Sequence, residues 1–149
     1  MKVHFICRGN VLRSLIAETY LRSLQLPSVV TTSSGTDVDL SSEEERAFFA
    51  NTEDLFRRHA IGQYAKGTSD QLTQERTDNQ DVTVCMNQRV VDEASTLVAL
   101  PTNTINWDIV DIGEGHRIVS EDIRTYEEEI FDEITAHVDE LAKRLLTQK

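Results

Sequence analysis

Cysteine is scarce: Cys7 and Cys85 are the only two in 149 residues. That is too few for a disulfide framework, and no Cys/His spacing matches a structural zinc site, so a reducing cytoplasmic setting is expected. Proline (two) and glycine (six) are scarce as well, and 39% of residues are hydrophobic, which excludes a low-complexity linker or a disordered tail. Positive charge is in deficit. Fifteen Lys and Arg face twenty-six Asp and Glu, a net charge of −11. That argues against nucleic acid as a partner, while leaving room for one local basic pocket that holds a single phosphate. No run approaches the roughly 20 apolar residues of a membrane span, so no membrane partner is expected. The opening apolar stretch, broken by His4 and ended by Arg8, is too short for a signal-peptide core, and a soluble, unprocessed protein is expected. The length suits one domain over residues 1–149.

What is present is alternation. Residues 2–7 read as a strand and Arg8-Gly9-Asn10 as a turn. Ile16, Tyr20, Leu21 and Leu24 then form an amphipathic helical stripe that ends before Pro27. The β-branched residues 29–34 make a second strand, completing a βαβ unit. A capping box from Ser41 to Glu44 predicts a helix running to about His59, and the polar residues 62–79 predict a connection with at most a short helix. Residues 81–85 read as a strand, 87–95 as a helix, 104–107 as a weak strand and 108–121 as a loop. Tyr126, Ile130, Ile134, Val138, Leu141 and Leu145 lie on one face of a long last helix. The pattern predicts an α/β fold, a parallel sheet with helices on both faces, in which ligands bind beyond the carboxyl ends of the strands. Cys7 lies at such an end.

After Cys7 the chain reads Arg8-Gly9-Asn10-Val11-Leu12-Arg13-Ser14, with a helix beginning at Arg13. So short a connection must curl, turning successive N–H groups inward and adding the unpaired amides of the helix start, which makes a concave anion site. Gly9 and Asn10 tolerate the curl. Arg13 brings a planar fork that grips two oxygens at once. Inward dipoles and a guanidinium favour thiolate at Cys7, and Ser14 is placed to donate to the sulfur. Val11 offers an apolar surface for an aromatic ring.

At these residues the sequence resembles the low-molecular-weight protein tyrosine phosphatases, whose loop has the form Cys, five residues, Arg, Ser. Ser34-Gly35-Thr36 resembles the family's Ser-Ala-Gly-Thr and His59-Ala60-Ile61 its His-Gly-Ile. Gln71-Leu72-Thr73, Cys85-Met86 and the last helix fall in the family's order. The resemblance implies a three-layer sandwich around a four-stranded parallel sheet of order 2-1-3-4. It implies hydrolysis of aryl phosphate monoesters through a phosphocysteine on Cys7, with no cofactor and no metal. Arg8, Gly9, Asn10, Val11, Leu12, Arg13 and Ser14 would bind the phosphate. The substrate would be a phosphorylated protein or a small aryl phosphate, with inorganic phosphate or vanadate as ligands. Trp107-Asp108-Ile109-Val110-Asp111 is similar to the family's Trp-Asp-x-x-Asp segment, which makes Asp111 the candidate general acid, with Asp108 in reserve. An aryl oxide leaving group calls for such an acid, worth roughly 10²–10⁴ in rate.

The chain also departs from that pattern. Leu12 stands where many members have a second Cys, Leu15 and Ile112 where they have Pro, and Asn87 where they have Asp. Two other readings follow: a thioredoxin-coupled arsenate reductase with Cys85 as a relay thiol, and a catalytically weak phosphate- or phosphoprotein-binding relative. Cys85 otherwise reads as packing and Trp107 as core or pocket wall. Glu43, Glu44, Glu45, Glu127, Glu128 and Glu129 read as solvated helix faces. His4, His59, His116 and His137 lack metal-ligand spacing.

Overall fold

The computed structural model describes residues 1–109 and 123–147. In chain order the elements are β1 (Lys2–Cys7), α1 (Arg13–Ser23), β2 (Val30–Gly35), α2 (Glu43–Arg58), a 3₁₀ turn (Gly62–Tyr64), α3 (Gln74–Thr77), β3 (Val82–Cys85), α4 (Gln88–Leu97), β4 (Ile105–Asn106) and α5 (Ile123–Thr147). The strands pair in parallel in the order β2-β1-β3-β4, as expected. Alternate residues of β1 point to opposite faces. Val3, Phe5 and Cys7 join a core with α1, α2 and α5, while Ile6 and Cys85 join a smaller one with Val90, Ala94 and Val98. The six apolar residues expected to mark one face of α5 are all buried. None of the described helices is long and apolar enough to cross a membrane.

Two local readings are corrected. The cap of α2 is Ser42, whose hydroxyl accepts from Glu45 N, rather than Ser41 paired with Glu44. Ser41 instead donates to Asp39, forming a local turn that leaves the next serine at the helix start. The stripe read on α1 is too narrow: Arg13, Ser14, Glu18 and Thr19 are buried with the apolar positions. The helix is enclosed by the sheet and α5, so its polar residues find partners inside the protein.

At its other end α2 closes in a Schellman arrangement, with Ile61 N donating to Phe56 O (3.0 Å) and Ala60 N to Arg57 O (3.1 Å). That geometry places Ala60 at φ 57, a left-handed position where a Cβ is strained and glycine is not. Ala60 is exposed, so little packing is lost on removing its methyl. Ala60→Gly is expected to stabilise the fold by about 0.5–1 kcal/mol, read as a higher urea midpoint. A lower midpoint would contradict this reading of the cap.

His4 on β1 is wholly buried, its ring nitrogens 2.6 Å from Thr32 Oγ1 and 2.8 Å from Ser34 Oγ. Burial, aided by the charges of Lys66 and Arg76, lowers its pKa from 6.5 to about 4. Between those values the unfolded chain takes up a proton that the folded one refuses. Stability from His4 is therefore lost as pH falls from 6.5 to 4, by about 3 kcal/mol in all. Glu18, whose carboxyl is raised by burial, acts with the opposite sign, favouring the fold at low pH and losing that contribution as pH rises. Comparison with His4→Gln separates them: from pH 7 to 4 the unaltered protein should lose about 3 kcal/mol more than the variant in urea unfolding.

Candidate active site

β1 ends at Cys7 and α1 starts at Arg13, and the chain reverses between them on Asn10, at φ 52. Asn tolerates this conformation better than most residues. Every polar group of Asn10 is engaged. Its amide N–H donates to Cys7 Sγ (3.2 Å), its Nδ2 to Ser14 Oγ (2.6 Å) and Ser33 Oγ (3.0 Å), and its Oδ1 accepts from Asp70 N (2.8 Å). Ser69 Oγ donates to its carbonyl (2.8 Å). Ser14 Oγ lies 2.9 Å from Cys7 Sγ. Having accepted the Asn10 amide, that hydroxyl has its own hydrogen to give to the sulfur.

Behind this hub, Ser33 Oγ donates to Glu18 Oε1 (2.7 Å). Glu18 is 1% exposed and paired with Arg22 at 3.0 Å, and burial raises its carboxyl above the ordinary range. Lys66 donates to Ser33 O and to Asp70 Oδ2, each at 2.8 Å, so the segment carrying Ser69 and Asp70 is tied to β2.

Gly35, the last residue of β2, touches the loop directly. A Cβ there would lie 2.5 Å from Arg8 O, 2.9 Å from Asn10 N and 3.0 Å from Gly9 C, all backbone atoms that cannot yield. Thr36 N donates to Cys7 O (3.0 Å) and Asp37 N to Arg8 O (2.8 Å), continuing the strand pairing into the loop.

Arg13 is 4% exposed, and its NH1 donates to Ile109 O (3.1 Å). Asn87 Nδ2 donates to the same carbonyl (3.1 Å), while its Oδ1 caps α4 by accepting from Val90 N (3.0 Å). An Asp at position 87 could cap the helix but has no hydrogen for Ile109 when ionised, which gives the departure a physical meaning.

Above Cys7 opens a cavity of about 320 Å³, large enough for a small ligand. Arg8, Gly9, Val11, Leu12 and Arg13 line it from the loop. α2 contributes Glu44, Glu45 and Phe48, α4 contributes Arg89 and α5 contributes Tyr126. Of the residues expected to hold phosphate, Asn10 and Ser14 are buried beneath the loop rather than in its wall. Asp108 is exposed at φ 55 and does not line the cavity. Asp111, Ile112 and His116 lie outside the described residues.

The other candidates have structural places. Cys85 is registered opposite Ile6 and shares the smaller core with it, whereas Cys7 belongs to the core on the other face. Burial pushes the Cys85 thiol up to about 12. Trp107 packs between Phe5 (5.4 Å) and His137 (5.1 Å), and His59 stacks on Phe131 at 3.9 Å. The acidic runs are not simply solvated: Glu44 and Glu45 line the cavity, and Glu127 is 2% exposed with its carboxyl raised by burial. Among the described residues no group of three or more His, Cys, Asp or Glu is arranged to hold a metal ion. The supports Ser33, Glu18, Lys66 and Asp70 were missed by sequence reasoning. For Ser33 and Glu18 the signal was a polar residue at a buried position of a strand or a helix, whereas Lys66 and Asp70 lie in the connection before α3 and carried no such signal.

A family model described as low molecular weight phosphotyrosine protein phosphatase matches residues 2–149. No curated protein matches in sequence. Among solved structures, a low molecular weight protein tyrosine phosphatase from Bacillus subtilis superposes with a TM-score of 0.71 at 21% identity, covering 99% of each chain. A YwlE arginine phosphatase variant with a phosphorylated active site serine gives 0.73 at 19% identity, covering 100% of this chain and 98% of that one. A thioredoxin-dependent arsenate reductase from Corynebacterium glutamicum gives 0.68 at 20% identity, covering 99% of this chain and 63% of that one. At these identities the superpositions speak for the fold.

Proposed function

The chain belongs to the low molecular weight phosphotyrosine protein phosphatase family of cysteine-dependent phosphatases, and from that premise we propose that it hydrolyses protein-tyrosine, or aryl, phosphate monoesters in the cytoplasm. The observation that carries this reading is Cys7 at a strand end, its sulfur contacted by Ser14 Oγ and Asn10 N at the floor of a cavity that Arg13 also lines. Val11, Phe48 and Tyr126 supply apolar wall for an aromatic ring.

In the proposed reaction the Cys7 thiolate attacks phosphorus, an S–P bond forms, and the P–O bond to the aryl group breaks as Asp111 gives its proton to the departing oxygen. Arg13 and the loop amides hold the three remaining oxygens, whose charge is spread in the transition state. Water then attacks phosphorus, giving its proton to Asp111. The S–P bond breaks, inorganic phosphate leaves and the thiolate returns. No metal or cofactor enters these steps.

Hydrolysis of p-nitrophenyl phosphate, blocked by vanadate, is the test, and its absence would overturn the reading. Asp111→Asn is expected to slow the aryl ester about 10²-fold in steady-state assays. A greater loss in Asp108→Asn would transfer the acid role to Asp108. Tight vanadate binding without turnover would instead favour the phosphate-binding relative. The arsenate reductase reading needs a relay thiol within reach of Cys7, and Cys85 sits on the opposite face of the sheet.

A further inference from the structure

Resting on the phosphatase reading, we propose that Thr52 of α2 is a positioning residue of the Cys7 loop: its hydroxyl holds the Val11 carbonyl outward and so turns the Leu12 N–H toward the bound anion.

Thr52 lies in the middle of α2 and is wholly buried. A β-branched hydroxyl residue suits a helix interior poorly, and a buried hydroxyl needs a partner. Thr52 Oγ1 has two within reach, Phe48 O one turn earlier (2.9 Å) and Val11 O in the loop (2.5 Å). A hydroxyl has one hydrogen to give. Phe48 O lies inside the ladder of α2, which supplies it with a donor. Val11 lies before α1, whose Ile16 N reaches back to Leu12 O (2.9 Å) and leaves Val11 O to the Thr52 hydroxyl.

Backbone can hold an anion only where its N–H groups face the anion, and the carbonyls must then face away and find donors elsewhere. The Cys7 loop meets that condition from three sides. Cys7 O accepts from Thr36 N (3.0 Å) and Arg8 O from Asp37 N (2.8 Å), both just past β2. Asn10 O accepts from Ser69 Oγ (2.8 Å), in the connection before α3, and Val11 O accepts from Thr52. Across a trans peptide the next N–H points opposite to the carbonyl. Each of these bonds therefore aims one amide: those of Arg8, Gly9, Val11 and Leu12. The Asn10 amide, on Cys7 Sγ, points to the same floor. Leu12 is the N-cap of α1, has no side-chain cap and lines the cavity with Val11 and Arg13. Its amide is the one that α2 sets in place, through Thr52.

The experiment follows inorganic phosphate binding to isotope-labelled protein by proton–nitrogen NMR, with turnover of p-nitrophenyl phosphate measured beside it. In the unaltered protein the Leu12 amide is expected to move downfield on binding, together with those of Arg8, Gly9 and Val11. Thr52→Val removes the hydroxyl at nearly constant volume. It should lower phosphate affinity and kcat/KM by about tenfold and abolish most of the Leu12 shift while the Arg8 and Gly9 shifts persist. Thr52→Ser restores the hydroxyl and should recover most of each loss. A role in packing alone predicts the reverse order, because valine keeps the methyl that serine lacks. A valine variant with unaltered affinity overturns the proposal. Should that variant fold poorly, the other two measurements decide: a serine variant that also loses about tenfold, or a Leu12 amide that ignores phosphate, overturns it equally. Phosphate binding without hydrolysis of the aryl ester defeats the phosphatase reading, while the affinities and the Leu12 shift still judge Thr52.

Discussion

Cys7→Ser is expected to lower the turnover of p-nitrophenyl phosphate by about 10⁴-fold or more. The substitution exchanges sulfur for oxygen in nearly the same volume, at a residue 3% exposed and contacted by Ser14 Oγ and Asn10 N. Both contacts remain available to a hydroxyl, so the fold and the loop are expected to persist. What changes is the nucleophile: a serine hydroxyl is a weaker one than the sulfur of the proposed mechanism and has no adjacent general base among the described residues. Any phosphoryl group that does transfer would be held as an ester and visible as an adduct in intact-protein mass. The paired measurements are steady-state turnover and urea unfolding. Activity above about 1% of the unaltered protein, with the fold intact, would place the nucleophile elsewhere.

Arg13→Lys is expected to reduce kcat about 10²–10³-fold, the effect of removing an aligned donor from a charge-stabilising site. The charge is kept and the fork is lost. The guanidinium of Arg13 spans two surroundings, with NH1 on the Ile109 carbonyl and the side chain lining the cavity. A single ammonium cannot hold that carbonyl and grip two phosphoryl oxygens in one plane. The Asn87 amide still donates to Ile109 O, so the carbonyl stays satisfied and the loss falls mainly on the anion side. Vanadate affinity should fall together with kcat. A lysine variant within threefold of normal turnover would show that Arg13 supplies charge alone.

Much of the fold was legible because its signals are local and periodic. The α5 stripe from Tyr126 to Leu145 repeats at helical spacing, and the strands before Cys7 and Gly35 are short apolar or β-branched runs closed by turn residues. The Cys7-to-Ser14 constellation was legible for the same reason, since all its members sit within one turn of chain. Its supports were not. Asn10 reads as a turn residue, and nothing near it in sequence announces Ser33, Ser69 or Asp70, which reach it across 23 to 60 positions. Glu44 and Glu45 read as a solvated helix start because acids there suit the helix dipole. Only the packing of α2 beside the loop turns them toward Cys7.

The outer side of β2 has a further consequence. β2 is the last strand on its side of the sheet, where a row of vacant carbonyls would ordinarily invite a foreign strand. Along this border the carbonyl of Thr31 receives Arg22 (2.9 Å), that of Ser33 receives Lys66 (2.8 Å) and that of Gly35 receives Leu72 N (2.8 Å). Gly35 N is likewise consumed by Asp70 O (2.9 Å). The border beside the Cys7 loop thus has these three carbonyls engaged by side chains and a crossing segment, which disfavours the addition of a foreign strand there.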